Sequence, residues 1–223
     1  MKGKLIVIDG TDGSGKATQT NLLVEKLKKK GKKVELIDFP RYGQKSAGLV
    51  EEYLNGKFGT AEEVGPYKAS IFYAVDRYAA SSKIKKWLSE GKIVISNRYA
   101  SSNMGHKAGK IKDLKERDKF LRWLEELEFV IFGIPKPDVN ILLYMSPEIG
   151  QKLVDKKGHR DYVNGTKKDI HESDINHLKD AAEAYKYVAK KFDWIVIDCA
   201  PEGRLKTIEE IQNLVLDKLK NII

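Results

Sequence analysis

A glycine-rich loop near the start of the chain has the residue types and spacing needed to hold phosphate groups. An apolar run of strand character ends at Asp9, and Gly10-x-x-x-x-Gly15-Lys16 follows, with helically spaced leucines beyond it. Glycines let backbone N–H groups surround an anion at the positive end of a helix, and a lysine adds a compact cation. The residues assigned to this nucleotide-phosphate site are Gly10, Thr11, Asp12, Gly13, Ser14, Gly15, Lys16, Ala17 and Thr18.

Three arginines stand out in a chain that otherwise prefers lysine. Arg41 and Arg98 each follow a predicted strand, and Arg77 lies one helical turn from Tyr73 on the same face. A guanidinium binds a phosphate or a base edge through two parallel hydrogen bonds, and an aromatic ring beside it can stack on a base. For a single arginine, ion pairing with a neighbour such as Asp76 is the simpler interpretation. The set predicts a second, phosphate-bearing nucleotide.

The pattern of apolar residues predicts an α/β fold with a parallel sheet and helices on both faces. The five predicted strands are Leu5–Asp9, Val34–Phe39, Lys92–Asn97, Val139–Met145 and Trp194–Ile197. A long helix is expected from Pro66 to Trp87, a polar loop over about residues 99–110, and a capping box at Thr207 and Glu210. We expect a single domain over residues 1–223, with ligands at the carboxyl ends of the strands.

Composition narrows the class of protein. The formal charge of +9 is concentrated in lysine runs near helix ends, where solvation explains it better than nucleic-acid binding. The single cysteine, Cys199, excludes an internal disulfide and fits a reducing compartment. No apolar run approaches the roughly 18 residues of a membrane span, and the first strand begins with no signal sequence before it. We expect a cytoplasmic protein that binds neither nucleic acid nor membranes.

A late segment has the composition of a mobile lid. Residues 156–174 are rich in lysine, glycine and aspartate and lack hydrophobic periodicity. A basic loop of this kind can close over a phosphoryl group in transfer, exclude water and meet the developing charge with cations. Arg160, supported by Lys156 and Lys157, is the strongest candidate for such a cation.

The order and spacing of six motifs match one known family. The motifs are Ile8–Lys16 with Thr18-Gln19, Phe39–Arg41, Phe72–Arg77, Asn97–Asn103, Gly133–Asp138 and Tyr162–Gly165. Over nearly its whole length the chain resembles thymidylate kinases, of the P-loop nucleoside monophosphate kinase superfamily. The resemblance implies a three-layer P-loop NTPase-type fold with a lid. It also implies transfer of the ATP γ-phosphate to dTMP, giving dTDP and ADP, with Mg²⁺ and usually as a homodimer.

The resemblance also implies roles for particular residues. Lys16 and the loop amides would bind the ATP phosphates, Arg98 the dTMP phosphate, and Tyr73 and Arg77 the thymine ring and its edge. The residues expected to be catalytic are Asp12, Lys16, Arg98 and Arg160. Those expected to contact dTMP are Asp12, Phe39, Arg41, Tyr73, Arg77, Arg98, Ser102, Asn103, His106 and Tyr162.

Several positions depart from the family pattern. Gly13 occupies the position where some members carry a catalytic arginine, so we expect Arg160 to supply that cation and Arg160→Ala to reduce turnover more than affinity. Ala17 replaces the hydroxyl residue that usually binds Mg²⁺, and Asn97 replaces an aspartate near the metal. The expected metal ligands are Asp9, Thr18 and Asn97, with phosphates and water holding most of the ion.

These departures leave alternatives open. His106 lies where relatives carry a bulky group near the sugar, and it either filters out ribonucleotides or forms ordinary loop hydrogen bonds. The chain could be a related P-loop kinase for another deoxynucleotide or nucleoside. It could also be a weakly catalytic nucleotide-binding paralogue.

Overall fold

The five apolar runs form the strands expected from them. The structure is a computed structural model that describes residues 2–155 and 175–223. The strands are β1 (Lys4–Gly10), β2 (Val34–Asp38), β3 (Ile93–Asn97), β4 (Val139–Tyr144) and β5 (Ile195–Asp198). They form one sheet in the order β2-β3-β1-β4-β5, and every neighbouring pair is parallel. The predicted five-stranded parallel sheet is therefore confirmed.

Helices connect the strands. Within the described residues they are α1 (Lys16–Lys29), α2 (Gly48–Leu54), α3 (Ala61–Ser89), α4 (Ala100–His106), α5 (Leu114–Glu125), α6 (Pro147–Asp155), α7 (Ile175–Lys191) and α8 (Ile208–Leu219). The Thr207–Glu210 capping box is present at the start of α8. Helix α3 begins one turn before the predicted start and is kinked at Gly65, whose φ is 72°. None of the helices in the described part of the chain has the length and apolarity to cross a bilayer.

The sheet is covered on both faces, which gives the three layers expected. On one face, Leu23 and Leu27 of α1 and Val215 of α8 pack with inward residues of β1, β3 and β4. On the other face, Ile84 of α3 packs with the alternate residues of β1 and β3, among them Val7 and Val94. Because both faces of the central strands are buried, they are apolar throughout rather than alternating.

The expectation of a polar loop over residues 99–110 was wrong. Residues Ala100–His106 form α4, and a 3₁₀ turn follows at Ala108–Lys110. The buried residues of α4 include Ser101 and Asn103, which hydrogen-bond to partners inside the protein. A helix whose inward face is polar has no apolar periodicity, so its sequence resembles that of a loop.

Candidate active site

The glycine-rich loop closes around the ammonium group of its lysine. Lys16 Nζ donates to the carbonyl oxygens of Gly10 and Thr11, both at 2.9 Å. Gly13 and Gly15 have φ values of 79° and 80°, in the left-handed region that glycine enters without strain. Thr11 fixes the loop to the end of β4, because its hydroxyl donates to the carbonyl of Met145 and accepts from the N–H of Met145, both at 2.8 Å.

A cavity of about 470 Å³ opens at the carboxyl ends of β1, β2 and β3. Its volume is within the usual range for small-molecule sites. The predicted site residues that line it are Asp12, Gly13, Gly15, Lys16, Ala17, Phe39, Tyr73, Arg77, Asn97, Arg98, Ser102, Asn103 and His106. The remaining described candidates lie outside its lining: Asp9, Gly10, Thr11, Ser14, Thr18 and Arg41. Arg160 and Tyr162, with the rest of the predicted lid at 156–174, fall outside the described residues.

Arg98 lies between the phosphate loop and α4. Its Nη2 donates to Asp12 Oδ1 at 3.2 Å, and its Nη1 donates to His106 Nε2 at 3.1 Å. Its φ of 63° is in the left-handed region, a strained conformation for a non-glycine residue that is concentrated at functional sites. Burial would lower the pKa of Arg98, but the carboxylates of Asp12 and Asp9 raise it overall. The site therefore holds a permanent cation beside the loop.

Arg77 and Tyr73 line another part of the cavity. Arg77 is 1% exposed, and its Nε donates to both carboxylate oxygens of Glu128, at 3.1 and 3.0 Å. The ring of Tyr73 lies edge-on to that of Tyr53, with centroids 6.4 Å apart. The ammonium of Lys107 lies 4.9 Å from the centroid of each ring. An aromatic ring and a fixed guanidinium thus face one space, the arrangement expected of a base site.

Arg41 is held away from the cavity by an acidic neighbour. Its Nε donates to Asp76 Oδ1 at 3.0 Å and its backbone N–H donates to Asp76 Oδ2 at 2.8 Å. Its Nη2 donates to Ser46 Oγ at 2.7 Å. This is the ion pair that the simpler interpretation of a single arginine predicted, and a contact between Arg41 and dTMP stays a prediction.

The carboxylate of Asp9 is fully buried and surrounded by donors. Oδ1 accepts from the N–H of Gly10 and the hydroxyl of Tyr185, and Oδ2 accepts from the hydroxyls of Ser101 and Ser102. Burial, reinforced by the charge of Asp9, raises the pKa of Tyr185 well above its usual range, so the phenol keeps its proton. With both oxygens engaged, Asp9 stabilises the base of the loop and does not suit a metal ion.

Of the other two metal candidates, only Asn97 faces the cavity. Thr18 is exposed on α1, away from the lining. Asn97 Oδ1 is a buried oxygen that accepts no hydrogen bond from the described residues, so it can coordinate a hard cation. Across residues 2–155 and 175–223, no group of three histidine, cysteine or acidic side chains could enclose an ion. The residues fit Mg²⁺ only as a partial ligand set, completed by phosphates and water.

Three residues around the site were not identified from the sequence. Lys107 lines the cavity, Glu128 binds Arg77, and Tyr185 binds Asp9. Glu128 had a readable signal, because it continues the buried face of α5 after Leu121 and Leu124, where a charged residue must find a partner. The local sequence pattern does not predict that this partner is Arg77, which lies 51 residues away.

The parallel sheet, the phosphate loop at the start of α1 and the arginine-lined cavity together define a P-loop nucleotide kinase. Comparison with known proteins gives the family. A sequence model described as thymidylate kinase matches residues 8–211, and the chain belongs to the thymidylate kinase family, whose members phosphorylate dTMP with ATP.

Individual relatives cover almost the whole chain. A thymidylate kinase from Mycobacterium tuberculosis is 31% identical over 207 residues, which span 90% of this chain and 94% of that protein. One from Plasmodium falciparum is 28% identical, covering 99% of this chain and 91% of the relative. The solved structure of thymidylate kinase from Candida albicans has a TM-score of 0.73 at 23% identity, covering 99% of this chain and 92% of that one. That structure supports the fold.

Proposed function

We propose that this chain transfers the γ-phosphate of ATP to dTMP, giving dTDP and ADP, in the cavity that joins the phosphate loop to Arg98, Tyr73 and Arg77. One observation supports this most strongly. A single cavity of about 470 Å³ is lined by the loop lysine Lys16, by Arg98 as a cation for the second phosphate, and by the aromatic–guanidinium pair of Tyr73 and Arg77. A site for one nucleotide would not need both groups of residues.

The donor half of the site is the loop at the start of α1. Its N–H groups and the helix dipole attract the anionic phosphates. Lys16 Nζ lies within the loop, 2.9 Å from two of its carbonyl oxygens and 3.7 Å from Asp12 Oδ1. A short movement of this ammonium group would exchange carbonyl partners for phosphate oxygens.

The acceptor half places the monophosphate beside Arg98 and the base between Tyr73 and Arg77. Thymine offers carbonyl acceptors at its edge, and a guanidinium has only donors, so Arg77 favours an oxo edge over an amino edge. His106 accepts from Arg98, which requires an unprotonated Nε2 and fixes the orientation of that arginine. Ser102 and Asn103 complete this side of the cavity.

The chemical step needs positioning more than proton transfer. An oxygen of the dTMP phosphate attacks the γ-phosphorus, a new P–O bond forms, and the bond to the β–γ bridging oxygen breaks as ADP leaves. Lys16 and Arg98 offset the charge on the moving group from its two sides. Arg160 remains the predicted lid cation for this step.

We also propose that Mg²⁺ is bound with the nucleotides, where it would neutralise phosphate charge. Asn97 Oδ1 is the cavity oxygen best suited to touch it, with Asp12 nearby but paired to Arg98. A homodimer and a cytoplasmic location are further proposals from the family resemblance and the composition.

An assay of ADP release with ATP and each deoxynucleoside monophosphate in turn tests the function. We expect dTMP to be preferred by at least about tenfold in kcat/KM. Lys16→Met should lower kcat by at least about 100-fold, because a cation at the transferred group is lost. Lys28→Met, an exposed lysine on the same helix, should not. Preference for another acceptor would favour a related kinase, and no ADP release with any acceptor would favour a nucleotide-binding paralogue.

A further inference from the structure

Arg77 and Glu128 form a buried ion pair that contains several hydrogen bonds. Both side chains are almost completely excluded from solvent, at 1% and 0% exposure. Arg77 Nε donates to both carboxylate oxygens of Glu128, and Nη2 donates to Oε1. A further contact, from Nη1 to the carbonyl of Tyr99, is long at 3.4 Å. One edge of the guanidinium is therefore fixed by Glu128 while Arg77 still lines the cavity.

Glu128 lies in a π-helical turn that places its side chain against Arg77. Helix α5 ends at Glu125, and a π-helical turn follows over Glu126–Ile131, with the N–H of Phe132 bonded to the carbonyl of Leu127. Within this turn Leu127 and Glu128 are buried, whereas Val130 and Ile131 are exposed. Single π-helical turns occur frequently at functional sites.

We propose that Glu128 is a positioning residue that holds the guanidinium of Arg77 against the edge of the acceptor base. This inference rests on the proposed function, because it assumes that the base lies beside Tyr73 and Arg77. A guanidinium has five N–H donors in a fixed plane. The carboxylate binds Nε and one N–H of Nη2, which leaves the donors at the far end of the plane for the base. Fixing the plane before binding removes the cost of ordering a flexible side chain on binding.

A second consequence concerns which base is accepted. A carboxylate can accept from an amino group, whereas a guanidinium cannot accept at all. Because Arg77 binds Glu128 on the side away from the proposed base, the carboxylate of Glu128 is not presented to the base. At the edge that faces Arg77 the base therefore meets hydrogen-bond donors, which suit an oxo group.

Glu128→Gln tests this role. We expect the KM for dTMP to rise about tenfold, with kcat and the KM for ATP changed by less than about threefold, because one charge-assisted contact orients one substrate. Glu128→Asp keeps the charge but has a shorter side chain, so its KM for dTMP should lie between those of wild type and Glu128→Gln. Glu126→Gln, an exposed glutamate in the same turn, is the matched control and should behave as wild type.

A purely structural role predicts something different. If Glu128 only stabilises the fold, Glu128→Gln should lower the yield of folded enzyme or its melting temperature, and hence the apparent kcat. The KM for dTMP should then show no selective change. The two roles also differ in an Arg77→Lys background, which lacks the planar fork. There Glu128→Gln should have no further effect on the KM for dTMP, since the residue acts only through the guanidinium. An independent, additive increase would overturn the inference.

The remaining outcomes are also decisive. If Glu128→Gln does not fold, Glu128→Asp carries the same test. Active wild type together with an unchanged KM for dTMP in the folded variant would overturn the positioning role alone. Wild type that does not phosphorylate dTMP would overturn the proposed function and this inference with it. A selective rise in the KM for dTMP, rescued in part by aspartate, supports the inference.

Discussion

At the scale of single residues, Asn97 is the weakest part of the proposed metal site. Asn97 lines the cavity, and its side-chain oxygen is buried, accepts no hydrogen bond from the described residues and carries no charge. Mg²⁺ prefers anionic oxygen ligands and keeps several waters. The arrangement suits an ion held mainly by the substrates, with Asn97 as an auxiliary ligand.

Asn97→Asp should therefore raise the affinity of the enzyme for Mg²⁺. We expect the Mg²⁺ concentration for half-maximal rate to fall by about threefold to tenfold, because a carboxylate replaces a neutral ligand. Asn140→Asp is the matched control. Asn140 Oδ1 is likewise buried and has no hydrogen-bond partner among the described residues, but Asn140 lies at the start of β4, outside the cavity lining. If the Asn97 variant shows the same Mg²⁺ dependence as wild type, Asn97 is not a metal ligand.

Cys199 gives a pH-dependent prediction. Burial, with a contribution from Asp198, raises the pKa of its thiol to about 12. In the unfolded chain the thiol titrates near 8.5, so the folded state holds its proton more tightly and stability falls as the pH rises above that value. By pH 10 the loss should reach about 2 kcal/mol.

The measurement is the free energy of unfolding in urea at pH 7.5 and at pH 10 for wild type and Cys199→Ala. The alanine variant should lose less stability over this interval than wild type. Equal losses in the two proteins would show that the thiol does not titrate differently on folding.

At the scale of elements, the phosphate loop and α6 meet backbone to backbone. A Cβ at Gly13 would lie 2.6 Å from Gly150 Cα, closer than atoms approach without displacement. Thr11 and Met145 exchange two hydrogen bonds just before this contact. A side chain at position 13, arginine included, therefore has no room while α6 keeps its place.

Gly13→Ala should displace α6 and disturb the loop. We expect the KM for ATP to rise about tenfold or more, because loop amides would lose their alignment with the phosphates. Gly31→Ala is a suitable control, since Gly31 also has a positive φ, 75°, but no atom within 4 Å of an added Cβ. It should cost about 1–2 kcal/mol of stability from backbone strain alone and leave the KM for ATP unchanged. Similar KM values for the two variants would contradict steric coupling.

The elements also explain what the sequence could and could not predict. The strands and the loop were predictable because buried parallel strands are uniformly apolar and a phosphate loop needs glycines at fixed positions. Helix α4 was not, because Ser101 and Ser102 turn inward to donate to Asp9. The sequence offered the pairing of Arg41 with Asp76 but could not choose between it and a phosphate contact, since both interpretations use the same residue types. Buried polar networks depend on partners that are distant in sequence.

At the scale of the whole molecule, four large apolar side chains of α3 and the π-helical turn are exposed to solvent. Ile71 and Tyr78 lie two turns apart on α3, and Val130 and Ile131 project from the π-helical turn. Tyr78 packs against Phe132, with ring centroids 5.1 Å apart, which links the helix to the turn. We name these four exposed residues the α3 patch. Clustered exposed apolar residues commonly mark protein–protein interfaces.

We expect the α3 patch to form the interface of the proposed homodimer. Light scattering coupled to gel filtration should give twice the 25.3 kDa mass of one chain for wild type. Ile71→Asp combined with Tyr78→Asp should give a monomer, because two carboxylates would have to be buried without partners. The control Ile208→Asp places one carboxylate on a residue of α8 that is 57% exposed, and this variant should remain dimeric. A monomeric wild type would exclude the homodimer, and a dimeric double variant would place its interface on another surface.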